Sequence, residues 1–471
     1  MKLFKRIALP VLAVILIMAL GYKLRLSGFN SIPFPGESLD EYSNAWVGLS
    51  MIRLGVPVGM SGLPGYPVQD SRYINVDRVF QTTANGNTMQ MSYPWFDHPP
   101  MMGLITGGFS YFKGARVFED TTAVTIRKPV ILMSTLTIGL AAYLAYLLFG
   151  WETAIAAATI IATSPLMVIN SRMVQAENGL TPLFLLSLIL LWWYEKKGGY
   201  TFLTLLSMTI GLAMLFKLSA VALLFCALAL IFANVKKNSA TRWQEGLIVS
   251  VIALSVFGIF VISALAWDFS TFVKVFLANS GRAYGIGLSA LFDLITNTKI
   301  TAVKFLTDGW PLTGWLGLAI LTRMDLRNKA WYLWLPIFSY LAVYLFFGSE
   351  PFGWYRIPFL PFLLIVSGWL TTAFIRNMHL TAVSVVTLLI PLGINLEKYF
   401  DVHKLIWLIP AWRLSCLALI IGALSLLMTD QANPKVKWAV YATMFVLFSL
   451  VIYSNILRAG MFTVDYWYKV N

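Results

Sequence analysis

The sequence predicts an all-α polytopic membrane protein of about 13 transmembrane helices, with interfacial helices in a large first extracytoplasmic loop. Three observations carry this. Of the 471 residues, 58% are hydrophobic and only 12% charged, against about 25% charged in a soluble domain. The apolar residues gather in runs near the length a bilayer requires, about 20 residues per crossing. One long stretch, 27–126, breaks the pattern and holds charges, glycines and prolines.

The first element is an apolar run at 7–25 behind Lys2, Lys5 and Arg6. No small-x-small cleavage site precedes Gly21-Tyr22-Lys23, so it reads as an uncleaved first span. In the loop that follows, Leu39, Tyr42, Trp46, Leu49 and Ile52 recur at helical spacing. That predicts an amphipathic interfacial helix over 39–54, with Ser38 and Glu41 as a capping box and Gly55 with Pro57 ending it. Ser61–Asn87 is rich in Gly, Pro and polar residues and reads as irregular. Pro99-Pro100 opens a second interfacial helix to about Phe112. Further runs fall at about 128–149, 153–170, 178–194, 200–216, 218–234, 246–267, 309–322, 331–347, 356–374, 380–395, 405–428 and 437–457. The nearly continuous stretch 200–234 is too long for one crossing, so two helices turn near Lys217.

Basic residues set the orientation. Lys196, Lys197, Lys236, Lys237, Arg242, Arg323, Arg327, Lys329, Arg376, Lys435 and Lys437 share the side of the N-terminus if thirteen spans cross. That side is the cytoplasm. The reading is one transmembrane domain, 1–457, in the cytoplasmic (inner) membrane. Its outer loops are 27–126 and 268–308, the latter bearing short helices and Lys274, Arg282, Lys299 and Lys304. A short extracytoplasmic tail, 458–471, follows. The net charge of +14 has no interleaved basic–aromatic module behind it. It is therefore assigned to orientation and to anionic lipid or phosphate, not to nucleic acid. Cys226 and Cys416 lie in apolar runs and suggest neither zinc nor a disulfide.

Several polar residues converge on the outer face. Asp40 and Glu41 open the first loop helix; Glu41 suits capping, whereas Asp40 is not needed for it and suits a general base that takes a proton from a hydroxyl. Asp97-His98-Pro99-Pro100 either caps a helix or offers its N–H groups and a histidine to a phosphate. Arg172 and Glu177-Asn178 occupy the turn before the fourth span, as an interfacial turn or as a second acid facing loop one. Lys217 either snorkels or pairs with a phosphate. Trp354-Tyr355-Arg356 either anchors a span or gives a bidentate phosphate contact. Together these supply an acid to activate a nucleophile and cations to stabilise a departing phosphate.

This order is a first span, Asp-Glu at a helix start, Asp-His-Pro-Pro, an acid before the fourth span, Leu-Phe-Lys217 and aromatic-Arg-x-Pro-x-x-Pro. It resembles the GT-C superfamily of polyprenyl-phosphate-sugar-dependent glycosyltransferases, whose nearer branches include protein O-mannosyltransferases and the aminoarabinose transferases of lipid A. The resemblance is clearest over 1–235 and rests beyond that on span count and 351–361. It implies a GT-C type fold, with Asp40 as catalytic residue and Glu41 beside it. It implies His98, Lys217, Arg356 and Arg172 as donor-phosphate ligands, and Glu177 and Asp97 as further acids at the acceptor side. His98 departs from the lysine of some members. The implied reaction moves a sugar from a polyprenyl-phosphate donor to a hydroxyl of a glycan, lipid or protein, with inversion. No cofactor is required; a divalent metal is compatible but not implied. The competing classes are a transporter or flippase of lipid-linked sugars, for which paired repeats and midplane ionisable residues are the signs, and a non-catalytic membrane scaffold.

Overall fold

The structure is a computed structural model describing residues 2–38, 40–66, 71–75, 88–234, 237–281, 288–296, 298–301, 304–324, 327–348, 352–426 and 434–469. Leu39, Lys236 and Arg282 therefore lie outside the described residues. The chain opens with α1 (Lys2–Leu26), then α2 (Glu41–Leu54), strands β1 (Ser71–Asn75) and β2 (Thr88–Ser92), and α3 (Met101–Phe112). The bundle continues with α4 (Ala123–Phe149), α5 (Trp151–Thr163), the short α6 (Pro165–Asn170), α7 (Ala176–Lys197), α8 (Tyr200–Met214) and α9 (Val221–Ala233). It is completed by α10 (Ser239–Ser280), α11 (Leu288–Thr296), α12 (Trp310–Arg323), α13 (Arg327–Phe347), α14 (Leu360–Thr372), α15 (Thr381–Val402), α16 (Ile409–Leu426), α17 (Pro434–Gly460) and α18 (Val464–Lys469).

Every apolar run expected from the sequence carries a helix. Seven of the helices among the described residues are long and apolar enough to cross a bilayer, and four shorter apolar ones, 151–163, 200–214, 218–233 and 360–375, stand with them. The chain is an integral membrane protein. Its helix ends follow local chemistry. Thr122 caps α4 in a reciprocal box with Thr125, and Gly150, at φ +99°, closes it. The expected turn near Lys217 separates α8 from α9. The run at 153–170 is not one helix: α5 stops at Ser164-Pro165, where proline has no N–H to continue the ladder. Asp308 fixes that break, accepting from Ser164 Oγ at 2.6 Å and the Leu166 N–H at 3.2 Å. Helix α10 runs past its expected end at 267 through a kink at Asp268. Helix α14 is buried on all sides, with Phe362, Leu363 and Ile365 fully covered, as an all-round apolar helix demands.

Two sequence expectations in the first loop are corrected. The stretch 61–87 is not wholly irregular: β1 pairs antiparallel with β2, Ser71 opposite Ser92 and Asn75 opposite Thr88. Helix α2 is not an amphipathic surface helix. Its residues Tyr42, Ala45, Trp46, Val47 and Leu49 are buried, and it packs backbone to backbone on α3. A Cβ on Gly48 would lie 1.9 Å from the Gly103 carbonyl oxygen, and one on Gly107 would lie 2.3 Å from the Leu49 nitrogen. Glycine is required for so close an approach. The capping box also fails. The residue before α2 is Asp40, without a side-chain cap hydrogen bond, while Ser38 Oγ reaches only Glu41 Oε2 at 3.5 Å.

A buried arginine ties the first helix to the bundle. Arg25 donates to Ser134 Oγ and to the carbonyls of Gly21, Ile161 and Ala162, joining α1, α4 and α5. At the other end of the chain, Trp467 on α18 is fully buried and donates its indole N–H to Glu37 Oε2 at 2.8 Å.

Candidate active site

The residues that lead into α2 are held on two sides. Arg172 donates to the carbonyls of Leu24, Arg25 and Ile32. Arg127 donates to those of Phe29 and Pro33 and, through Nε and Nη2, to both oxygens of Glu41 at 2.5 and 2.7 Å. Gln175 Nε2 donates to the Ser38 carbonyl at 2.7 Å. Glu41 is thus turned toward α4. Asp40, its neighbour, lines a cavity on the other side.

That cavity measures about 60 Å³, room for a few water molecules. Asp40, Asn44 and Val47 come from the start of α2, Trp95, His98 and Pro99 from the approach to α3, and Gln175 and Glu177 from the start of α7. Lys217 joins from the turn after α8, with Phe352, Trp354 and Tyr355 from the segment before α14. Lys217 Nζ lies 2.5 Å from Glu177 Oε1 and 4.2 Å from the centre of the Tyr355 ring. Burial disfavours the Lys217 ammonium, but the Glu177 carboxylate outweighs it and holds its pKa above the usual lysine value. Lys217 is therefore a cation at any physiological pH. Glu177 is fully buried, and its second oxygen, Oε2, has no hydrogen-bond partner.

The other residues expected at the site lie around the cavity rather than on its wall. Asp97 accepts from Ser61 Oγ and the Tyr66 hydroxyl, each at 2.6 Å, and its carbonyl accepts from Asn279. It pins the loop to the end of α10. Burial and the Asp97 carboxylate raise the Tyr66 pKa and keep that donor protonated. Arg172 is buried among carbonyls, and burial with the nearby Arg127 and Arg25 lowers its pKa to about 9. Arg356 is buried and donates to the Lys299 carbonyl, with a pKa lowered to about 10 by burial. Its two predecessors, Trp354 and Tyr355, face the cavity instead. Among the described residues, no group of three or more His, Cys, Asp and Glu could hold a metal ion.

Comparison with known proteins gives the fold its place. Residues 97–267 match the family model described as dolichyl-phosphate-mannose-protein mannosyltransferase. ArnT from Cupriavidus metallidurans bound to undecaprenyl phosphate aligns with 99% of this chain and 78% of its own, at 13% identity and a TM-score of 0.56. The chain has the GT-C fold. The archaeal oligosaccharyltransferase AglB from Archaeoglobus fulgidus, in complex with an inhibitory peptide and a dolichol-phosphate, shares this fold over 97% of the chain, at 12% identity and a TM-score of 0.54. Arabinosyltransferase EmbB from Mycobacterium smegmatis shares it over 96%, at 13% identity and a TM-score of 0.53. The chain spans about half of AglB, 56%, and 40% of EmbB. No curated protein matches the sequence. The family-model match includes Asp97, His98, Arg127, Arg172, Glu177 and Lys217, and excludes Asp40 and Arg356.

Sequence reasoning missed Arg127, Gln175 and two members of the aromatic wall, Trp95 and Phe352. Arg127 did give a signal, since it begins the apolar run of α4 and an arginine there needs a partner. Its carboxylate partner lies 86 positions away, and no local spacing points to it.

Proposed function

We propose that this protein is a membrane glycosyltransferase that moves a sugar from a polyprenyl-phosphate donor to a hydroxyl acceptor at the extracytoplasmic face. The observation that carries the reading is the meeting of Asp40, Glu177 and Lys217, from three distant chain segments, on the wall of one cavity. The likeness to ArnT with undecaprenyl phosphate and to AglB with a dolichol-phosphate supports a lipid-phosphate donor. The basic residues on the opposite side of the chain support an N-terminus in the cytoplasm of an inner membrane.

In this mechanism Asp40 accepts the proton of the acceptor hydroxyl. The oxygen attacks the anomeric carbon from the face opposite the phosphate, so configuration inverts. The bond from that carbon to the phosphate oxygen breaks, and its electron pair goes to the phosphate. The products are a glycoside and a polyprenyl monophosphate. Lys217 stabilises the charge that gathers on the departing oxygen, and His98 stands on the same wall. Glu41 serves as the counter-ion of Arg127, and Arg127, Arg172, Asp97 and Arg356 hold the walls in place. Phe352, Trp354 and Tyr355 provide flat apolar faces suited to a sugar ring. Mass spectrometry of lipid-linked sugars and surface glycans, with and without the protein, tests the assignment. A glycan modification lost on deletion, with its lipid-linked sugar accumulating, is the expected result; unchanged lipid-linked sugars and glycans contradict it.

A further inference from the structure

The lining of the cavity is unusual for a site that holds phosphate. Among the described residues its acidic side chains are Asp40 and Glu177 and its basic ones Lys217 and His98. The lysine is already neutralised, with Glu177 Oε1 2.5 Å from its ammonium. Glu177 is fully buried and Lys217 largely so, at 0% and 15% side-chain exposure. The groups packed around it are phenols. The Tyr355 ring lies under the ammonium, and the hydroxyls of Tyr340 and Tyr344 share a 3.1 Å hydrogen bond behind it. Oε1 of Glu177 is paired with Lys217, and Oε2 has no hydrogen-bond partner.

From this we infer that Glu177 is a built-in counter-anion that weakens the hold of Lys217 on the spent lipid phosphate and thereby speeds product release. The inference rests on the proposed reaction. Its donor is a phosphodiester with a single negative charge. Its product is a monoester, which carries about −1.5 to −2 near neutral pH. A lone buried lysine would grip the product harder than the donor and stall after one turnover. A fixed carboxylate beside that lysine narrows the preference, since it repels the dianion more than the monoanion. The ammonium has three donors, so it can keep Glu177 and still contact a donor oxygen.

Two short-chain polyprenyl probes test this on the full-length protein in detergent: a monophosphate, and a phosphodiester whose head group cannot be transferred. Glu177→Gln should tighten monophosphate binding about tenfold or more, and tighten phosphodiester binding less. With a transferable donor it should give one fast turnover followed by a slower steady state. Glu177→Asp folds with its charge retained but drawn back from Lys217, and should tighten monophosphate binding in the same direction by a smaller factor. Lys217→Gln should weaken both probes. If Lys217→Gln weakens the monophosphate and neither Glu177 variant tightens it, the inference is overturned and the phosphate assignment stands. If Lys217→Gln leaves both probes unaffected, that assignment falls and the inference falls with it.

Discussion

Arg127 grips both carboxylate oxygens of Glu41, and both side chains are fully buried. The grip turns Glu41 toward α4, while Asp40 lines the cavity.

Breaking that pair from one side should be costly. Glu41→Gln or Arg127→Met leaves a buried charge without its partner, a loss of about 3–5 kcal/mol. Arg127→Met is the worse of the two, because it also strands the Phe29 and Pro33 carbonyls. The double variant Glu41→Leu/Arg127→Met should recover part of the loss. Thermal unfolding in detergent of the four forms measures the coupling; single and double variants that are equally unstable contradict it.

The seam between α2 and α3 should tolerate no side chain at Gly48, Gly103 or Gly107. Gly48→Val drives a Cβ into the Gly103 carbonyl and should cost about 3 kcal/mol or more. Gly108→Ala is the control. Its Cβ meets only the Ile52 side chain, at 3.6 Å, and stability should be nearly unchanged. Equal melting temperatures for the two variants would refute the close packing.

The Lys217–Glu177 pair sets a pH dependence at the alkaline end. The folded pKa of Lys217 is raised above its ordinary 10.5. The proton is therefore held more tightly in the folded state, and this contribution is complete below about 10.5 and fades as pH rises through the folded value. The stability gap between wild type and Lys217→Met should be constant from neutral pH to about 10 and shrink beyond it. A gap that already closes between pH 6 and 9 argues against a raised pKa.

Much of the fold was legible because lipid imposes it. The apolar runs, the turn at Lys217 and the helix after Pro99-Pro100 follow from segment length and from proline and charge placement. The burial of α2 was hidden, since its partner α3 contributes glycines that carry no hydrophobic pattern. The β1–β2 pairing was masked by turn-rich composition. Of the residues that line the cavity, Asp40, His98, Glu177 and Lys217 were legible because polar residues next to apolar spans stand out. Arg172 and Arg356 stood out for the same reason, yet both are directed at backbone carbonyls. Composition registers an arginine and not the direction of its guanidinium.

The central claim, that Asp40 takes the acceptor proton, is tested most directly by Asp40→Asn. Asparagine is as good a helix cap as aspartate, so folding and donor binding should persist. Sugar transfer from a polyprenyl-phosphate donor should fall at least about 10²–10⁴-fold, the usual contribution of a general base. Transfer at the wild-type rate by a folded Asp40→Asn protein would contradict the account.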